Sequence, residues 1–291
     1  MGSINTRRLV RLDESARVAA IAPAGFGESR RVSLPSDNPV LDARGLVFPA
    51  DGSVLNQVGL AVGEGETVAV LGPQGAGKSA LKACLCGETA PFAGTVWTNG
   101  KPFHLLAAGQ RRAFRLRHYG LVHQDPVFFP ELTLGQFAAL PLRFAAVGER
   151  EATQRALTWL ARFEIADAAD RRPGELPAEV LRRAALARAM VNDPLVLFAD
   201  EPFVGLSDES ISTASRILRS VARSHGTAVV VFTREADTAA RYERTVHLVG
   251  GRTHAEPVPI AVVPAAKPGD VPHRAPDAAS QSLTSPAKVG R

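Results

Sequence analysis

The sequence contains few cysteines and no long apolar run, and each shortage excludes a kind of site or segment. Cys84 and Cys86 are the only cysteines among 291 residues. Two thiols in C-x-C spacing cannot complete a four-ligand zinc site by themselves, so we expect reduced, buried thiols in a cytosolic protein. No apolar run reaches the roughly 18 residues that a membrane span needs, and the first residues lack the continuous apolar core of a signal peptide. We therefore expect neither a membrane-spanning helix nor a signal peptide.

The charged residues give the chain a modest excess of positive charge. Lys and Arg number 34, Asp and Glu number 29, and the formal net charge is +5 at pH 7, with Arg far in excess of Lys. Two interpretations stay open, an Arg-rich surface without a special role or a basic face towards an anionic membrane or nucleic acid. The hydrophobic share of 45% is ordinary for a soluble globular protein, and the length suffices for one large domain or two small ones.

Residues 72–79 carry the strongest signal in the chain, because they fit the phosphate-binding pattern G-x-x-x-x-G-K-[ST]. Glycines let the backbone turn tightly and bring its N–H groups close to an anion at the start of the next helix. In such a loop Lys78 reaches the β- and γ-phosphates of a nucleotide, and the Ser79 hydroxyl ligates Mg²⁺. The predicted nucleotide-binding residues of this loop are Gly72, Pro73, Gln74, Gly75, Ala76, Gly77, Lys78, Ser79 and Ala80.

The segments on both sides of the loop agree with this interpretation. Residues 67–71 form a β-branched apolar run of strand length, and residues 80–86 are compatible with a helix that ends at Gly87. A genuine P-loop requires this order of strand, glycine-rich loop and helix. The sequence therefore predicts a nucleotide-phosphate site here rather than an ordinary turn.

A second apolar run, residues 195–199, ends in the carboxylates Asp200 and Glu201. A strand that is apolar throughout is typical of a parallel sheet buried on both faces, and ligands bind at the carboxyl ends of such strands. Beside a P-loop, Asp200 is expected to hold Mg²⁺ through water and Glu201 to polarise the attacking water. Without the P-loop, the same pattern would be typical of a solvated acidic turn.

The pattern along the chain divides it into three parts. Residues 1–40 alternate Arg, Ala, Gly, Ser and Pro without a period and indicate a poorly ordered arm, and residues 254–291 indicate a disordered tail rich in Pro and Ala. Between them, residues 41–253 predict an α/β domain. The predicted elements are a strand meander over 41–60, strands over 94–98, 119–124, 228–232 and 245–249, and helices over 133–163, 178–191 and from Ser207 to Gly226.

The order of these motifs resembles the nucleotide-binding subunit of an ABC transporter. The P-loop, Gln124 after a strand, a helical stretch and Asp200-Glu201-Pro202 follow one another between residues 41 and 252. Within that family, residues 129–133, 139–142 and 172–176 are most similar to the MacB and LolD type, which works with FtsX-like permeases. The resemblance implies a P-loop NTPase core with a mostly parallel sheet, an antiparallel β subdomain and a helical subdomain, with ATP and Mg²⁺ as ligands.

The resemblance also implies roles for single residues. Gln124 matches the glutamine that senses Mg²⁺ and signals to the permease, and Phe48 is the candidate for the aromatic that stacks on adenine. For Phe48, a core aromatic is the equally open alternative. The predicted catalytic residues are Glu201, Lys78, Gln124 and Arg234, and the predicted metal ligands are Ser79, Gln124 and Asp200.

The segment after Gln124 is the predicted contact with the permease. It contains Val127, Phe128 and Phe129 between two prolines, and the resemblance places the coupling helix of the permease near this segment. A local core under a loop is the other interpretation of these apolar side chains.

Three departures from the family pattern bear on hydrolysis. The family's Leu-Ser-Gly-Gly-Gln stretch is here LPAEV at residues 176–180, so Pro177 offers neither a hydroxyl nor an N–H donor, and Glu179 places a carboxylate towards an anion. A helix is still expected to start there, with a poor grip on phosphate. Arg234 stands where the family has a histidine, and Ser207 stands where it has an aspartate.

We therefore expect an ATP-binding subunit of an ABC transporter, at the cytoplasmic face of the membrane, that couples ATP binding and hydrolysis to an integral-membrane permease of an exporter, with FtsX-like permeases suspected. It should pair with a second ATP-binding subunit, either its own copy or another chain, and no nucleic acid partner is expected. Because of these departures, we expect a homodimer to hydrolyse ATP weakly, or hydrolysis to depend on a partner subunit. The alternative function is a non-hydrolysing ATP-binding regulator of a membrane complex.

Overall fold

The computed structural model describes residues 39–50 and 53–254. The predicted arm at residues 1–40 and the predicted tail at residues 254–291 therefore lie almost wholly outside the described residues. Within those two ranges, no helix combines the length and the apolar character that a membrane crossing requires.

The described chain begins with three strands, contains a run of three α-helices in its middle, and ends with alternating strands and helices followed by two strands. The strands are β1 Leu41–Ala50, β2 Ser53–Val62, β3 Thr67–Leu71, β4 Ala93–Thr98, β5 Lys101–Pro102, β6 Tyr119–Val122, β7 Val196–Asp200, β8 Ala228–Thr233, β9 Arg244–Val249 and β10 Arg252–His254. The helices are α1 Lys78–Leu85, α2 Ala108–His118, α3 Leu134–Phe144, α4 Glu149–Arg162, α5 Ala178–Met190, α6 Asp208–His225 and α7 Ala236–Ala239.

The larger sheet has the strand order β10-β9-β3-β8-β7-β6, and all its pairings are parallel except that of β10 with β9. Alternate residues of its central strands enter two different cores. Ala69 and Val231 contact one core, whereas Val70 and Phe232 contact the other. Burial on both faces is the physical reason for the continuous apolar runs, and it confirms the predicted parallel sheet.

The smaller sheet is antiparallel, with the strand order β2-β1-β4-β5. The predicted meander over residues 41–60 is here two paired strands of ten residues each, and register shifts between Ala43 and Phe48 accommodate the irregular stretch. Asn99 and Gly100 both have positive φ angles, 48° and 70°, as the two-residue turn between β4 and β5 requires. This sheet is the predicted antiparallel β subdomain.

Helices α3, α4 and α5 form the helical subdomain. The predicted helix over residues 133–163 is divided into α3 and α4 by a turn in which Ala146 has a φ of 62°. Thr133 caps α3, because its hydroxyl accepts a hydrogen bond from the backbone N–H of Gln136 at 3.3 Å. Ser207 caps α6 in the same way, and Gly226, at a φ of 68°, ends that helix as predicted.

The two cores lie on opposite faces of the larger sheet. One contains side chains of α3, α4, α5 and α6, including Trp159, Phe163 and Met190. The other lies between α1 and the smaller sheet and includes Leu41 and Leu85. The carboxyl ends of β3, β8 and β7 consequently meet at one edge, between the two layers, where the candidate site lies.

Candidate nucleotide-binding site

The loop between β3 and α1 has the backbone of an anion-binding turn. Gly75 and Gly77 have φ angles of 78° and 100°, which side chains with a Cβ rarely adopt. The helix starts directly after Gly77, at Lys78, two residues before the start predicted from the sequence. The first N–H groups of α1 therefore face the loop, where they are free to bind an anion.

The ammonium group of Lys78 lies inside this loop. Its Nζ donates to the carbonyl oxygens of Gly72 at 2.7 Å and Pro73 at 3.1 Å, and Oε1 of Glu201 is 3.6 Å away. Burial lowers the pKa of Lys78, Glu201 raises it again in part, and Arg234 lowers it further. The loop thus holds a partly desolvated cation close to the place predicted for phosphate.

The carboxylates of Asp200 and Glu201 follow β7, as predicted, and both residues are buried. Glu201 has a φ of 44°, a left-handed conformation that costs a residue other than glycine about 1–2 kcal/mol. Its amide donates to the carbonyl of Phe232 on β8 at 2.9 Å, which fixes the turn. The chain thus holds Glu201 in an unusual conformation beside the loop.

Arg234, at the end of β8, lies on the other side of Glu201. Its Nε is 3.4 Å from Oε1 of Glu201, and its backbone N–H donates to Oε2 at 3.4 Å. The larger sheet is the reason for this contact, since β8 lies between β3 and β7. Glu201 is therefore held between two cations, Lys78 and Arg234.

Lys82 is a buried cation of the site that the sequence did not reveal to us. It lies on α1, and its Nζ is 2.9 Å from Oδ2 of Asp200 and 3.5 Å from Nδ1 of His123. Burial lowers the pKa of His123, and the Lys82 charge lowers it further, which favours a neutral ring. The spacing of Lys82 from Lys78, four residues in a helix, was the available signal, because such residues share one face.

Other predicted site residues lie around this centre. Ser79 and Gln124 are exposed, and the backbone carbonyl of Gln124 accepts a hydrogen bond from Arg182 at 3.0 Å. Phe48 is half-buried and packs against the core under the smaller sheet, so the sheet supplies a core contact for it. Its stacking on adenine stays a prediction, as do the roles of Ser79 and Gln124.

The LPAEV stretch starts a helix, as expected from Pro177, which is the N-cap of α5. Glu179 turns towards its own chain, where Oε1 accepts hydrogen bonds from Arg183 at 2.7 Å and from the Ser210 hydroxyl at 2.6 Å. Its charge is thus matched within the chain by an arginine one helical turn further on.

The predicted permease segment is part surface and part core. Val127 and Phe129 are exposed, by 73% and 49%. Phe128 is half-buried, and its ring lies 4.3 Å from that of Phe137. The local-core interpretation therefore applies to Phe128, whereas a permease contact of the exposed Val127 and Phe129 stays a prediction.

Comparison with known proteins gives the class of this chain. The sequence profile of the ABC transporter family matches residues 55–204, just over half of the chain. This range contains the P-loop, Lys82, Asp200 and Glu201. The chain belongs to the ABC transporter family, as one of its ATP-binding domains.

Individual relatives narrow the resemblance to the LolD type. The chain is 35% identical over 201 residues to the lipoprotein-releasing system ATP-binding protein LolD 1 of Rhodospirillum rubrum, covering 69% of this chain and 88% of that one. It is 33% identical over 198 residues to LolD of Bacteroides thetaiotaomicron, covering 68% and 91%. Among solved structures, the dimeric ATP-binding cassette MJ0796 bound to ADP and Pi superposes with a TM-score of 0.67 at 27% identity, covering 74% of this chain and 96% of that one.

The site agrees less well with the divalent cation that the family pattern implies. Mg²⁺ prefers an octahedron of hard oxygen ligands, usually with one or two carboxylates. Among the described residues, no cluster of three or more His, Cys, Asp and Glu side chains could hold a metal ion. The one carboxylate of the predicted set, Asp200, already bonds the Lys82 ammonium, which would repel a second cation on the same group. The residues present therefore do not fit Mg²⁺ held by Asp200.

Proposed function

We propose that this chain binds ATP as the nucleotide-binding subunit of a membrane transporter. The observation that carries the proposal is the position of Lys78, inside a glycine-rich loop and 3.6 Å from a carboxylate at the end of β7. The buried loop cation, the free N–H groups of α1 and the exposed Ser79 together form a site for a triphosphate. The ADP and Pi named for the dimeric cassette support this ligand class.

The proposed assembly contains a second ATP-binding subunit and an integral-membrane permease. Support comes from the relatives of the LolD type, whose name describes a lipoprotein-releasing system, and from the dimeric form of the similar cassette. In this assembly the chain lies at the cytoplasmic face of the membrane, and export with an FtsX-like permease is the proposed direction. Exposed Val127 and Phe129 are the proposed permease contact.

Three features of the described structure bear on hydrolysis: the contacts of Glu201, the residue at position 177 and the Lys82–Asp200 pair. Two cations, Lys78 and Arg234, contact the carboxylate of the proposed base, Glu201, and compete with an attacking water for its oxygens. Pro177 adds no donor for a phosphate. These contacts favour a subunit that binds ATP and turns it over slowly. A non-hydrolysing regulator of a membrane complex, which binds ATP without turnover, is the alternative function. The predicted Mg²⁺ at Ser79, Gln124 and Asp200 stays a prediction, and the Lys82–Asp200 pair argues against it.

Titration calorimetry with ATP tests the proposal. We expect wild-type protein to bind ATP and Lys78→Ala to bind roughly 10- to 100-fold more weakly, because hydrogen bonds to charged groups are worth about 1.5–3 kcal/mol. Lys101→Met is the matched control, since Lys101 is an exposed lysine on β5 outside the site. Equal affinities in the wild type and Lys78→Ala would refute the assignment.

A further inference from the structure

The ion pair between Lys82 and Asp200 is buried at the place where the family pattern puts a metal-binding acid. The two side chains are only 9% and 8% exposed, and the distance between Nζ and Oδ2 is 2.9 Å. Lysine is almost never fully buried without a partner, and Asp200 is the carboxylate that pairs with Lys82 here. Asp200 thus has a permanent, protein-borne counter-charge.

The whole site reaches a positive charge without a metal ion. Lys78 and Arg234 both pair with Glu201, and Lys82 pairs with Asp200, the residue next to Glu201 in the chain. Three cations against two carboxylates leave a formal charge of +1. Without Lys82 the same side chains would be formally neutral, with the Asp200 carboxylate unpaired, and a divalent cation would be needed to make the site positive.

Lys82 lies one helical turn beyond Lys78, and its ammonium contacts Asp200. In this proposal Lys82 acts on the site through Asp200. Neutralised in this way, Asp200 neither attracts a divalent cation nor repels an anion bound in the loop.

We propose that Lys82 replaces the divalent cation in the charge balance of this site, so that the chain binds a nucleoside triphosphate without Mg²⁺. The inference rests on the proposed ATP binding and deepens it. Lys82 is a positioning residue in this scheme, and its effect is a property of binding, independent of hydrolysis.

The test is ATP titration in buffer with EDTA and in buffer with excess Mg²⁺. For the wild type we expect dissociation constants that agree within about threefold, because the protein supplies the compensating charge. For Lys82→Met we expect affinity in EDTA to fall by about tenfold or more, with Mg²⁺ restoring most of it, since an unpaired Asp200 repels phosphate. Lys101→Met serves again as the control and should match the wild type in both buffers.

A second variant separates a binding effect from a folding defect. It is needed because Lys82→Met leaves a buried carboxylate without a partner and could destabilise the fold. Lys82→Met combined with Asp200→Asn removes both charges, and we expect it to fold and to bind ATP in EDTA as the wild type does. Wild-type binding only in Mg²⁺ would overturn the inference and leave the proposed function intact. Absence of binding in both buffers would overturn the proposed function and the inference with it.

Discussion

Arg234 and Glu201 form an ion pair across the ends of β8 and β7, with Nε and Oε1 3.4 Å apart. The contact matters because Glu201 is the residue that the family pattern designates as catalytic base, and because its second cation, Lys78, belongs to the phosphate loop. A charge added to or removed from this group changes the attraction for a triphosphate directly. The sign of the effect depends on which partner is changed.

Glu201→Gln and Arg234→Gln should change ATP affinity in opposite directions. Glu201→Gln removes a negative charge near the phosphates, and we expect tighter binding by about fivefold, corresponding to about 1 kcal/mol for unit charges some 4 Å apart in a high dielectric. Arg234→Gln removes a positive charge and should weaken binding by a similar factor. Calorimetry measures both, and a shift of both variants in one direction would contradict the charge argument.

The LPAEV stretch should limit ATP turnover by the chain alone. We expect little steady-state ATPase activity in the wild type, and an increase of up to about 10²-fold in a variant with Pro177→Ser, Ala178→Gly and Glu179→Gly, since one preorganised donor is worth about 10²–10³ in rate. Ser210→Ala is the control, because it removes one of the two hydrogen-bond partners of Glu179 and leaves the LPAEV stretch itself unchanged.

Brisk turnover by the wild type, together with no gain in the restored variant, would refute this explanation. The restored variant should also unfold more easily, because it loses the hydrogen bonds of Glu179 to Arg183 and Ser210. A hydrogen bond to a charged group contributes roughly 1.5–3 kcal/mol. Thermal unfolding checks this loss separately from the activity.

Exposed apolar side chains after Gln124 should mediate membrane association. We expect Phe129→Asp to release the subunit from membranes that contain its permease while ATP binding persists, because Phe129 is half exposed and its loss costs no core packing. Phe92→Asp is the matched control, since Phe92 is an exposed aromatic between α1 and β4. Membrane sedimentation is the measurement, and equal release by both variants would argue against a specific contact.

The two cysteines should be unreactive in the folded protein. Burial raises the pKa of Cys84 to about 11 and that of Cys86 to about 12, so both thiols stay protonated at pH 8. We expect iodoacetamide to label neither thiol in native protein and both after unfolding, with mass spectrometry as the readout. Rapid labelling of the native protein would contradict the prediction and would show that the end of α1, where both cysteines lie, opens readily.

The same raised pKa values predict how stability depends on pH. In the unfolded chain these thiols ionise near pH 9, whereas in the folded protein they stay neutral until pH 11 or 12. Their contribution to stability is thus complete below pH 9 and is lost as the pH rises towards 11–12. The wild type should therefore lose melting temperature relative to the Cys84→Ala, Cys86→Ala double variant between pH 9 and pH 11. A difference in melting temperature that stays constant over this range would contradict the prediction.

The sequence by itself determined the elements that depend on local chemistry. The strand before the P-loop lies at Thr67–Leu71 as predicted, and Ser207 and Gly226 bound α6 because a hydroxyl cap and a left-handed glycine act within a few residues. The run that ends at Asp200 identified a buried parallel strand, since burial on both faces leaves no room for alternation.

Tertiary structure alone decided which charges meet. Lys82 and Asp200 are 118 positions apart, and their contact depends on the packing of α1 beside β7. Arg234 reaches Glu201 because the sheet order places β8 between β3 and β7, which no local pattern encodes. Likewise, the hydroxyl of Ser210, in the first turn of α6, donates a hydrogen bond to Glu179, in the first turn of α5. A side chain's partner depends on the three-dimensional arrangement of elements, and the charge balance of this site is therefore a property of the fold.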